Sequence, residues 1–88
     1  MPVLEFPDTE LEPFPLDGMI VPAIRRTLEE QAPSANVKVG GEAYLYDRSY
    51  PIKGYSAVLP AYLREQMDAG KRPLLVERPD RVYVYFAV

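Results

Sequence analysis

Residues 81–88 alternate in character. Val82, Val84, Phe86 and Val88 fall on one side of an extended chain, and Tyr83, Tyr85 and Ala87 on the other. This period of two predicts the strongest strand in the chain. A weaker copy occurs earlier, where Ala43 and Leu45 oppose Tyr44 and Tyr46. Val37-Lys38-Val39 precedes it across Gly40-Gly41, and two β-rich runs around a glycine pair predict a hairpin. Leu74 to Glu77 predicts another strand, joined to the last by the turn Arg78-Pro79-Asp80.

Two stretches carry a helical period instead. Ile20, Ile24, Thr27 and Leu28 fall at i, i+4, i+7 and i+8. They predict a helix capped by Asp17 or Gly18, running to about Gln31, with Pro22 near its first turn and Pro33 at its end. Leu59, Leu63 and Met67 form the stripe of a second helix over 57–69, with Ser56 as N-cap and Gly70 as the residue past its end. Residues 47–55 then read as a loop. Periodicity places Ile20, Ile24, Leu28, Leu59, Leu63, Met67, Val82, Val84 and Phe86 in the core.

The two halves echo each other. A shift of 38 residues lays Val21-Pro22-Ala23 over Leu59-Pro60-Ala61, and each expected helix is followed by a strand, a tight turn and a Tyr-x-Tyr strand. Two αββ units, 18–47 and 56–86, follow from this reading. The fold class is therefore α+β: a two-layer sandwich with a four- or five-stranded, mainly antiparallel sheet and two helices on one face. The order is αββαββ, or βαββαββ if Val3 to Phe6 adds a strand, which is consistent with a ferredoxin-like plan.

Charge divides the chain at residue 17. Residues 1–17 hold Glu5, Asp8, Glu10, Glu12 and Asp17 with no Lys or Arg, and Pro2, Pro7, Pro13 and Pro15 forbid a continuous helix there. They read as an acidic, extended arm with apolar pegs at Leu11, Phe14 and Leu16, next to a single domain over 18–88. All ten bases lie in that domain. No apolar run approaches the ~20 residues that span a bilayer. The expected setting is soluble and cytoplasmic, with no membrane contact.

The chain of 88 residues contains no Cys and no His. Disulfides, Cys/His zinc sites and triads built on His or Cys are thereby excluded. Nothing implies a cofactor, and a catalytic role is disfavoured. If two helices cover the aliphatic face of the sheet, Tyr44, Tyr46, Tyr83 and Tyr85 line an open face. Tyrosine is amphipathic and common at interfaces. These four, with Phe14 and Leu11 of the arm, are the expected contact residues of a non-catalytic interaction or assembly module. Its partner would be another protein or a second copy, as in small bacterial or phage accessory proteins. The alternative is a small oligomeric enzyme or ligand-binding protein with an inter-subunit Tyr/Arg pocket. A third reading, nucleic-acid binding on the Tyr face, is disfavoured because the charge lacks the basic excess that phosphates need.

Overall fold

The computed structural model describes residues 3–25 and 36–88. Their elements run β1 (Val3–Phe6), a 3-10 turn (Asp8–Glu10), β2 (Glu12–Leu16), β3 (Met19–Ile24), β4 (Asn36–Val39), β5 (Glu42–Pro51), α1 (Tyr55–Asp68), β6 (Pro73–Glu77) and β7 (Arg81–Ala87). The strands form one seven-stranded sheet in the order β1-β4-β5-β7-β6-β3-β2. It is mixed: β1 runs parallel to β4 and β3 parallel to β6, and the other pairs are antiparallel.

This corrects the expected two-helix sandwich. Residues 19–24 are a strand, and the reason is local. Asp17 and Gly18 both take left-handed backbone angles, φ 49° and 85°. Such a two-residue turn has the twist that joins antiparallel strands. Leu16 then pairs with Met19, Phe14 with Val21 and Glu12 with Ala23. Counting outward from the turn, Pro13, Pro15 and Pro22 fall at the positions that do not hydrogen-bond across this hairpin, so their missing N–H groups break no rung of it. Ile20 points outward, 65% exposed, and is not core. The αββ echo fails with the first helix, since Val21-Pro22-Ala23 is strand and Leu59-Pro60-Ala61 is helix. Residues 26–31 of the expected first helix, Thr27 and Leu28 included, lie outside the described residues.

Three further expectations need correction. β5 continues through the supposed loop to Pro51, with its register shifted between Tyr46 and Arg48. Asp47 is the extra residue of that bulge. The helix begins at Tyr55 with Gly54 as its N-cap, so Ser56 lies inside the first turn. Met67, at 39% exposure, is not core.

Other elements form where turn chemistry placed them. Gly40 and Gly41, φ 55° and 87°, join β4 to β5. Gly70, φ 89°, ends α1. Its N–H donates to Met67 O at 2.9 Å and that of Lys71 to Gln66 O at 3.1 Å, which satisfies two carbonyls of the last turn. Ile24, Leu59, Leu63, Val82, Val84 and Phe86 are buried as expected.

The sheet has to curl. Seven flat strands at about 4.8 Å spacing would hold the outer two roughly 29 Å apart. The chain from Phe6 in β1 to Glu12 in β2 reaches roughly 20 Å at full stretch, and the 3-10 turn shortens it further. One buried cluster accordingly gathers Phe6 of β1 and Ile24 of β3, from opposite ends of the sheet, around Val37, Tyr44, Leu74, Tyr83 and Tyr85. This is the concave face of a half-barrel. The other cluster packs Leu59 and Leu63 of α1 onto Phe14, Leu16, Val21, Leu75, Val82, Val84 and Phe86.

Candidate interaction surface

The alternation in β7 and β5 puts Tyr44, Tyr46, Tyr83 and Tyr85 on one face, as read from sequence, but the curl closes that face. Tyr44, Tyr83 and Tyr85 are only 8%, 6% and 2% exposed. Tyr46 is half-buried against them, its ring 6.2 Å from that of Tyr83 and 5.6 Å from that of Tyr85. Those spacings suit tilted and edge-on aromatic contacts. Burial pushes the Tyr85 phenol up to about 12. It also raises Tyr44, helped by a hydrogen bond with Glu42. The expectation of an open tyrosine face is corrected: these rings fill the inside of a curled sheet.

The two arm residues part company. Leu11 packs, half-buried, against the tyrosine cluster. Phe14 lies on the opposite face, buried under the helix side, with its ring edge-on to Tyr55 at 6.0 Å and beneath the Arg25 guanidinium at 4.7 Å. The bases near the last hairpin are engaged separately. Arg72 Nη1 meets Glu42 Oε1 at 2.8 Å, Arg81 Nε donates to Ser49 Oγ at 2.9 Å, and Lys71 lies over Phe86 and Arg78 over Tyr83.

What periodicity missed is the outer face of the β2–β3 hairpin. The register that buries Phe14, Leu16, Val21 and Ala23 turns Pro13, Pro15, Ile20 and Pro22 to the other side, where all four are exposed. Leu11, Glu12, Pro13, Ile20 and Pro22 line a groove of about 290 Å³. Proline walls are stiff and lose little side-chain entropy on contact. Arg64 braces this hairpin against α1: its Nη1 meets Asp17 Oδ2 at 2.9 Å and its Nη2 donates to Asp17 O. The sequence signal was present in Asp17-Gly18 flanked by alternating residues.

One polar cluster deserves comparison with this groove. The bulge aims Asp47 at α1, where Tyr62 donates its hydroxyl to Asp47 Oδ2 at 2.5 Å. Arg48 Nε reaches the same oxygen at 2.9 Å, and its guanidinium lies 4.1 Å from the Tyr62 ring centre. Partial burial, then the bond to Asp47, pushes Tyr62 up to about 12. Tyr62 is thus too weak an acid to give up its proton near neutral pH. The arrangement ties α1 to β5. Among the described residues no three acidic side chains converge as a metal ion would need. None of the described helices is long and apolar enough to cross a membrane.

The chain matches no family model, no curated protein and no solved structure.

Proposed function

We propose that the chain is a non-catalytic protein-interaction module whose contact surface is the outer face of the β2–β3 hairpin. The observation that carries this reading is the groove lined by Leu11, Pro13, Ile20 and Pro22, apolar and open to solvent on a chain this small. Apolar surface left contiguous outside a core commonly marks a place where another molecule sits. The walls are preformed by a short hairpin and by prolines, so docking orders little that is not already ordered. The groove is lined by aliphatic residues and prolines, with Glu12 beside them, and by no base. It suits a protein partner that presents an apolar side chain better than a phosphate-bearing ligand. Tyr44, Tyr46, Tyr83 and Tyr85 act in this reading as the filling that holds the surface in shape, and Leu11 is the expected contact residue that keeps its role.

A photo-crosslinking amino acid at Ile20 tests the proposal, with the same residue at exposed Ala61 on α1 as reference. Irradiation of the purified chain and of native extract should give a discrete adduct at position 20 that position 61 does not give. Mass analysis of that adduct tells a second copy from another protein. Identical adduct patterns at the two positions would refute the hairpin as a contact surface.

A further inference from the structure

We infer, resting on the groove's reading as a contact surface, that its occupant is a basic segment of another protein. Such a segment seats an apolar side chain among Leu11, Pro13, Ile20 and Pro22 and sets a Lys or Arg beside Glu12. The walls come from the hairpin register. Pro13 lies opposite Pro22 and Pro15 opposite Ile20, so two adjacent cross-strand pairs pave one face, and Leu11 joins them in the groove. Ile20 stands 65% exposed among them. Glu12 is the charged residue of the lining.

The charge of the surrounding elements has one sign. Residues 3–24, which build β1, the 3-10 turn, β2 and β3, carry Glu5, Asp8, Glu10, Glu12 and Asp17 and no Lys or Arg. Asp8 and Glu10 sit in the turn that leads into Leu11 and Glu12. Of the described bases that touch the hairpin, Arg64 is held by Asp17, and Arg25 lies over Phe14, which faces the helix side, with Glu77 at 3.7 Å. Glu12 is exposed and makes no ion pair among the described residues. An apolar surface rimmed by one sign of charge concentrates groups of the other sign. Lys and Arg suit it twice over, since their stems lie along apolar surface while the charged head stays in water at the carboxylate. The same charge disfavours a second copy: a twofold pair through this face would set Glu12 against the Glu12 of its mate, acid against acid. An exposed carboxylate adds little affinity, so the paving decides how tightly a segment is held and Glu12 decides which segments are accepted.

Selection of random peptides displayed on phage, at low salt, tests this with three immobilised targets: the natural chain, Ile20→Ser and Glu12→Lys. Both substituted side chains are exposed, and circular dichroism checks that the fold is kept. Peptides enriched on the natural chain and lost on Ile20→Ser should carry Lys or Arg next to an apolar residue. Synthetic copies should bind Glu12→Lys about fivefold more weakly, with the gap closing in roughly 1 M salt, where screening shortens to about 3 Å. Ile20-dependent peptides without a basic excess, or indifferent to Glu12→Lys, would overturn the inference and leave the groove standing as a contact surface. A position-20 photo-adduct of twice the chain's mass would overturn it in favour of a second copy. Absence of any Ile20-dependent peptide, together with absence of a position-20 adduct, would remove the contact surface itself and this occupant with it.

Discussion

Gly40 carries two constraints at once. Its φ of 55° lies in the left-handed region, and Asp8 occupies the space where its side chain would stand. Gly40→Ala should therefore cost roughly 1–2 kcal/mol in urea denaturation. Adding Asp8→Gly should recover part of that cost, a coupling of about 0.5 kcal/mol or more if the contact is real. Tyr85 gives a different residue-scale test. Its folded pKa of about 12 stands above the unfolded 10.0, so folding favours the neutral phenol. The stabilisation is fully present below pH 10 and is lost as pH rises through 12. Stability should fall over that interval, and in Tyr85→Phe the fall should be shallower. Phenolate absorbance should show late-titrating tyrosines in the native protein, one fewer in that variant. Among the buried apolar residues, Phe86→Ala should cost about 3–5 kcal/mol, read by thermal melting.

The β2–β3 hairpin depends on its two-residue turn. Gly18→Val puts a β-branched side chain at φ 85° and should destabilise the fold by roughly 1–3 kcal/mol. Amide exchange should quicken first in β2 and β3. That hairpin is also where sequence reading and structure diverge, and the cause is arithmetical. Ile20 and Ile24 are four apart, a spacing that suits one face of a helix and equally one face of a strand. Only Val21 and Ala23 between them, and Asp17-Gly18 before them, separate the two. The Gly40-Gly41 hairpin, the Gly70 helix end, the Arg78-Pro79-Asp80 turn and the alternation in β7 were all legible, because each is decided within a few residues. The parallel pairings of β1 with β4 and β3 with β6 join segments far apart in the chain, and no local period announces them. The candidate site was half legible for the same reason. Alternation put the tyrosines on one face, and Leu11 stood out as an apolar peg between the prolines of the arm, but only the long-range curl decides that the tyrosine face is interior.

At the scale of the whole molecule, among the described residues the half-barrel leaves two strands with a partner on one side only, β1 and β2. Any such strand invites another extended chain to continue the sheet. β2 refuses the invitation chemically. In its hairpin register the residues that direct their backbone outward are Pro13 and Pro15, and proline has no N–H to give. An incoming strand would meet carbonyl oxygens there without the donors needed to complete a ladder. The prolines that first read as breakers of structure thus act as guards against fibril growth. Replacing both, Pro13→Thr with Pro15→Thr, keeps the extended geometry and restores two outward donors. The variant should retain the far-ultraviolet circular dichroism of a folded sheet when dilute. On concentration it should bind thioflavin T and sediment, where the natural sequence stays dispersed. If the two proteins remain equally dispersed, the guard lies elsewhere, in the brevity of β1 or the acid Glu5 within it.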